Sequence, residues 1–297
     1  MQFTIPARLP FNFRSVVFSH GWNQLQPFVW DETAGTLSYI LCLSSGQVID
    51  LVTSAADSGL KVDSPRLGAK EKAEVINTLT WMFALNSDFS EFYQAIRDEL
   101  ALANVEKLAR GRVLRSPTLF EDVIRTILTT NTLWAATRRM VANLVQQFGE
   151  PLPSDPTRRA FPTALSLAAA GEGRLRAESR LGYRAPYIVD LAQRVASGEF
   201  DLEALKTSCL PTLELRRELL KIQGIGPYAS ANLLMILGRS DYLPIDSWAL
   251  KVVSHEWHAD QPVTPAQVQA DMDKWGRWQG LVFWFWDWSY NHKDSAG

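Results

Sequence analysis

The stretch Leu219-Leu-Lys-Ile-Gln-Gly-Ile-Gly-Pro-Tyr-Ala-Ser-Ala-Asn-Leu-Leu-Met235 limits what this chain can fold into more than any other. Apolar residues at helical spacing lead up to Gly224-Ile225-Gly226, and Pro227 opens a second helical run. The pattern predicts two helices joined by a tight turn, over about 212–237. Two glycines around one apolar residue let the backbone turn sharply, with Ile225 plugging the gap between the helices and amide N–H groups turned outward. At a helix start, where the dipole is positive, such amides form a seat for a phosphate oxygen. A seat of that kind holds a backbone and reads no sequence. Gly-x-Gly alone is met at least as often in an ordinary helix corner, where glycine only caps the first helix.

The continuation adds weight. Asp246 follows Gly226 by twenty residues, in Leu243-Pro-Ile-Asp246-Ser-Trp-Ala-Leu-Lys251. It stands where a further helix should begin, and a carboxylate there is a common N-cap. Capping and catalysis are compatible, because a cap fixes the carboxylate beside the hairpin.

Elsewhere the chain reads as a β-rich front and a helical body, an α+β class. Leu37–Leu43 and Gln47–Val52 are short apolar runs separated by turn-forming residues, and the first fifty or so residues read as strands. From about Ala69 the period becomes helical. Ser116-Pro117 predicts an N-cap with proline at the first helical position, opening a helix through Leu128. Further helices are expected at about 134–148, 184–197, 212–221, 227–237, 246–257, 264–275 and 278–290, with Pro151–Pro156 a connecting loop. Residues 1–100 are expected to form the front domain and 101–297 the helical one.

Charge is against the obvious conclusion. Thirty Lys and Arg against 32 Asp and Glu leave −2, whereas nucleic-acid binders usually carry a basic excess. Basic residues do cluster, as Lys107, Arg110, Arg112, Arg115, Arg125, Arg138 and Arg139, and again as Arg174, Arg176, Arg180, Arg184 and Arg194. Such runs allow a basic face or ordinary solvated helices. Only two cysteines occur, Cys42 and Cys209, which excludes a disulfide framework and a four-cysteine cluster. No basic region followed by an apolar run opens the chain, and no stretch reaches the length of a membrane span. A cytoplasmic, nucleoid-associated protein is expected.

With these residues in view, the chain resembles the helix-hairpin-helix glycosylases, the HhH-GPD superfamily, whose signature is this hairpin followed by Pro-x-Asp. The match runs from Leu219 to Lys251. Ser116–Asn131 is similar to the family's early helix, which leads to the residue filling the hole left by a flipped base. Leu181-Gly-Tyr-Arg-Ala-Pro-Tyr187 resembles a motif of the 8-oxoguanine branch, and the front with His20-Gly21-Trp22 resembles the N-terminal domain shared with the inducible 3-methyladenine branch. The resemblance implies a DNA N-glycosylase with Asp246 as catalyst. It implies backbone contacts at Gly224, Ile225, Gly226 and Tyr228, and Asn131, Tyr183 and Arg184 at the gap and the estranged base. Bifunctional members carry a lysine where this chain has Tyr228, so the resemblance implies water as the nucleophile. Alkylated purines such as 3-methyladenine are favoured, as in a DNA-3-methyladenine glycosylase II. An 8-oxoguanine enzyme is the alternative and stands second, because the glutamine and phenylalanine with which that branch holds its base are replaced here by Phe283 and Asp287.

The C-terminal Trp275–Tyr290 carries five tryptophans, of which helical spacing makes most core. Trp248, Phe283, Trp286 and Asp287 are the candidates for a base pocket. Breaking a glycosidic bond builds positive charge on the sugar, which a fixed carboxylate stabilises. Leu243, Pro244, Ile245 and Trp248 suggest a dry setting for it. His255-Glu-Trp-His258 lacks a metalloprotease spacing and reads as a helix face. No metal and no cofactor are expected, a monovalent cation at the hairpin excepted. The expected partner is duplex DNA holding a damaged base, met by a monomer with no membrane contact. A non-catalytic hairpin clamp would need the glycines and not the acid, and a structural protein would need neither.

Overall fold

The computed structural model describes residues 1–288. Five strands form one antiparallel sheet: β1 (Gln2–Pro6), β2 (Phe28–Asp31), β3 (Thr36–Cys42), β4 (Val48–Ala56) and β5 (Gly59–Asp63), in the order β1-β5-β4-β3-β2. Strands β2 to β5 follow one another as a meander, and β1 returns to pair with β5, Phe3 opposite Val62. The expected strands coincide with β3 and the first half of β4, each running one residue past the observed strand at the turn between them. A two-stranded ribbon, β6 (Pro151–Leu152) and β7 (Asp155–Arg159), replaces the expected loop. Prolines spoke against it, yet in so small a ribbon their missing N–H groups can face away from the partner.

Among the described residues the helices are α1 (Phe13–Val17), α2 (Ala69–Met82), α3 (Ser90–Ala95), α4 (Ala103–Lys107), α5 (Leu119–Thr129), α6 (Trp134–Phe148), α7 (Ala164–Glu178), α8 (Ala185–Ala196), α9 (Thr212–Leu220), α10 (Pro227–Ile236), α11 (Ser247–Trp257), α12 (Pro265–Met272) and α13 (Gln279–Phe285). None is long and apolar enough to cross a membrane. Three boundaries differ from expectation by more than one residue. Helix α5 starts two residues late: Thr118 caps it, its side chain accepting from the Glu121 amide at 3.2 Å, while the Ser116 amide donates to the Asp122 carboxylate. Helix α12 gives way at Met272 to a 3₁₀ segment bent at Gly276, whose φ is +49°. Helix α13 ends at Phe285, and Tyr290 lies outside the described residues.

The main apolar core runs without a break from Leu51, Leu60 and Val62 in the sheet through Leu79, Ile124 and Leu128 to Leu219, Leu233 and Val252 in the body. Helix α5 is its axis, with residues from Leu119 to Leu128 buried. Its polar side chains fasten it to the sheet. Arg125, wholly buried, pairs with Glu121 and donates to the carbonyls of Leu25 and Gln26 at 3.2 and 2.9 Å. Tyr39 donates to Glu121 at 2.6 Å, and Trp22 donates to Asp122 at 2.7 Å. Burial pushes the Asp122 carboxyl up to about 6, against the pull of its donors Ser116 and Trp22.

Candidate active site

Helices α9 and α10 form the expected hairpin. Gly224 has φ +86°, and a Cβ there would stand 2.7 Å from Cδ2 of Tyr187, so the turn needs glycine twice over. Ile225 is buried between the helices. Gly226 caps α10 with φ −98°, and a Cβ on it would meet no protein atom within 4 Å. The two glycines therefore differ: the turn requires the first, and the fold leaves room for a side chain at the second. Gly226→Ala should melt within about 1 kcal/mol of wild type, since the backbone suits alanine. If the hairpin amides seat a phosphate as its sequence leads one to expect, the variant should still weaken binding to damaged and undamaged duplexes by similar factors, because a methyl would stand in the phosphate's way. Fluorescence-anisotropy titrations of both duplexes check this, and a loss confined to one lesion would place the hairpin in the recognition pocket instead.

A groove of about 560 Å³ runs in front of the hairpin, lined by Thr130, Asn131, Tyr183, Tyr187, Gly226 and Tyr228 among others. The structure thus brings together Asn131, Tyr183 and the hairpin residues, which lie far apart in sequence. Asn131 is exposed with φ +47°, and Leu133 beside it is 80% exposed. Arg184 departs from expectation. It is only 6% exposed, its guanidinium donates to the carbonyls of Thr130 and Asn131, and it stacks on Tyr183 at 4.4 Å. It braces the loop that presents Asn131 and does not itself face outward.

A second cavity, of about 380 Å³, adjoins the groove and shares Thr129 and Tyr228 with it. His20, Gly21, Trp22, Trp134, Asn232 and Trp284 complete much of its wall. Gly21 allows Trp134 to close against the front segment, since a Cβ there would fall 2.5 Å from the indole. The Trp134 Nε1 donates to Gln24 and the Trp284 Nε1 to the Ser19 carbonyl. Of the four base-pocket candidates, Trp248, Phe283, Trp286 and Asp287, none lines this cavity. Phe283 is buried in contact with Trp248 and Trp288, and Trp286 packs among Trp257, Trp275 and Trp288. Trp286 escapes the helical period because α13 ends before it, at ψ 134°. Asp287 is exposed beside a different groove, with Arg14, Ser15 and Arg110.

Asp246 caps α11: its Oδ1 accepts from the amides of Trp248 and Ala249, both at 2.9 Å. Its Oδ2 has no partner among the described residues. The carboxylate is exposed and outside the cavity wall, so the dry setting expected from its neighbours is absent in the protein alone. Only Leu243 of those neighbours is fully buried, and Trp248 is 39% exposed. Trp248 meets Phe283 edge-on at 5.5 Å, tying the start of α11 to the helix that supplies Trp284.

The basic clusters do not make a basic face. Arg112 is buried on four backbone carbonyls, Arg125 is buried with Glu121, and Arg115 lies on Trp81. Arg174, Arg176 and Arg194 form surface ion pairs with Glu178, Glu172 and Glu199. Among the described residues Lys107, Arg138, Arg139 and Arg180 remain exposed without an ion-pair partner. Lys221, after the first hairpin helix, is held by Glu218 at 2.7 Å, and Lys251 is exposed on α11.

A family model described as HhH-GPD superfamily base excision DNA repair protein matches residues 124–277. A DNA-3-methyladenine glycosylase of Bacillus subtilis (strain 168) is 25% identical over 232 residues, covering 75% of each chain. The structure of MBOgg1 in complex with a low affinity DNA ligand superposes with a TM-score of 0.75 at 22% identity, over 99% of this chain and 96% of that one. The 3-methyladenine DNA-glycosylase from Archaeoglobus fulgidus gives 0.73 at 20% identity, over 96% and 97%. The last two likenesses are of fold.

Proposed function

Because this chain belongs to the HhH-GPD superfamily of base excision DNA repair proteins, we propose that it is a monofunctional DNA N-glycosylase that hydrolyses the bond between sugar and damaged purine, alkylated purines first. One observation carries the reading: a carboxylate fixed by two helix-start amides, its second oxygen free, stands on the same body as a glycine-turned hairpin with a groove before it and an aromatic cavity.

The parts divide the work. The hairpin amides hold phosphate while Asn131 and Leu133 enter the space that the damaged nucleotide leaves. Flipping costs a few kcal/mol and is easiest at damaged or mispaired bases. The base enters the cavity between Trp22, Trp134 and Trp284, whose π faces favour electron-poor rings such as alkylated purines. The sugar stays outside with the backbone, where Oδ2 of Asp246 faces the positive charge growing at C1′ and orients water. The docked duplex supplies the exclusion of water that the exposed carboxylate lacks alone, which strengthens that interaction.

The residue at position 228 sets the mechanistic class. A tyrosine there forms no Schiff base, Lys221 is engaged by Glu218, and Lys251 lies more than one helical turn beyond Asp246. The product should be an intact abasic strand, and borohydride should trap no enzyme–DNA adduct. An adduct that vanishes in Lys251→Ala would reverse this assignment. The function is tested with duplexes that each carry one damaged base, scored for free base. Release of 3-methyladenine or 7-methylguanine ahead of 8-oxoguanine supports the reading, and release of 8-oxoguanine alone would move the chain to the other branch.

A further inference from the structure

The cavity beside Tyr228 has a polarity that its aromatic walls conceal. Three threonine hydroxyls on its wall donate to backbone carbonyls: Thr126 to Asp122 at 2.7 Å, Thr129 to Thr126 at 2.7 Å, and Thr137 to Leu128 at 2.9 Å. Each proton is thereby directed at the protein, so none of these three hydroxyls offers a donor to the cavity. His20 completes the pattern. Its Nε2 lies 2.7 Å from the Leu114 carbonyl, which only accepts, so Nε2 carries the proton. Nδ1 is then a bare acceptor. It has no partner among the described residues and is not sealed from solvent, and His20 is one of the residues that line the cavity.

The ring is well fixed. Trp22 packs edge-on against it at 4.6 Å and is itself held by Asp122, while Trp284 closes the other side at 6.3 Å. Burial pushes the imidazole down to about 4, against the opposing pull of the Leu114 bond. At neutral pH the ring is therefore uncharged and its lone pair is available.

We propose that His20 is a specificity-determining residue of this cavity: its Nδ1 selects bases that present an N–H donor, above all the exocyclic amine of an adenine-type purine. The proposal rests on the reading of the cavity as the base pocket. A base whose inner edge carries only acceptors would set lone pair against lone pair, and a buried acceptor left unmatched is penalised.

The test uses free bases and no DNA, so it is independent of catalysis. Binding of 3-methyladenine and of its N6,N6-dimethyl analogue, which lacks the amine protons, is read by quenching of the tryptophans in the cavity wall. Wild type should bind the first about fivefold or more tightly than the second, the worth of one neutral hydrogen bond. His20→Phe keeps an aromatic ring without the acceptor, and it should bring the two affinities to within about twofold. His20→Asn places an oxygen near the Nδ1 position and should retain most of the preference. Should His20→Phe fail to fold, the wild-type ratio and the asparagine variant decide. Equal binding of both bases by wild type, or an undiminished preference in His20→Phe, would overturn the proposal. Should lesion duplexes release no base while the ratio holds, the glycosylase reading falls and the acceptor role of His20 stands.

Discussion

Asp246→Asn should lower single-turnover base excision by about 10³-fold, roughly 4 kcal/mol of barrier, while lesion-containing duplex still binds nearly as in wild type. Asparagine has the shape of aspartate and keeps an oxygen that can accept from the Trp248 and Ala249 amides, so α11 retains its cap. What is lost is the charge on the oxygen that faces the sugar. The effect should therefore fall on the chemical step, with affinity for substrate little changed. Quenched-flow or gel assays with enzyme in excess measure that step directly. Excision within a factor of ten of wild type, only about 1.4 kcal/mol, would remove Asp246 from the mechanism.

The largest effect on stability is expected far from this carboxylate, at Glu121. Its side chain is the counter-charge of the fully buried Arg125 and the acceptor for Tyr39. Glu121→Ala leaves a guanidinium in the core with only the Leu25 and Gln26 carbonyls, and it leaves the Tyr39 hydroxyl unpartnered. Uncovering a buried charge in this way costs about 3–5 kcal/mol. In a chain of this size that is a fall in Tm on the order of 10 °C. Arg125→Met in the same chain removes the uncovered charge and should recover at least half of the loss, because Phe28 and Phe161 already flank the site. Calorimetry on the single and double variants measures the coupling. If the double variant is no more stable than Glu121→Ala, the cost lies in the Tyr39 hydroxyl and not in the ion pair.

The parts of the site that were legible in the sequence are those made by neighbours in the chain. A glycine at φ +86°, a proline at a helix start and an aspartate at an N-cap are local facts, and the sequence pattern states them directly. What depends on distant partners was not. Strand β1 pairs with β5 across nearly sixty residues, and no local pattern names that partner. Helix α7 escaped because Gly171, at φ +69°, breaks it in two and its alanine-rich start has little apolar contrast. The arginine clusters stayed undecided for the same reason. Whether Arg112, Arg125 or Arg184 faces solvent depends on carbonyls and carboxylates brought in by the fold. His20 and Trp284 are the clearest omissions, since they meet only when the two ends of the chain come together. The indole of Trp284 bonded to Ser19, a contact between residues 265 apart, has no sequence signal.

The account stands on a carboxylate that answers a positive charge at C1′, and that claim can be measured without any reaction. Two duplexes are compared, one holding a neutral tetrahydrofuran abasic analogue and the other a pyrrolidine analogue whose ring nitrogen is protonated at the position of the charge. Wild type should bind the cationic duplex about 10²-fold more tightly than the neutral one, as expected of a mimic of the transition state, and Asp246→Asn should bind the two alike. Equal affinity of wild type for both duplexes, or a preference that survives in Asp246→Asn, would contradict it.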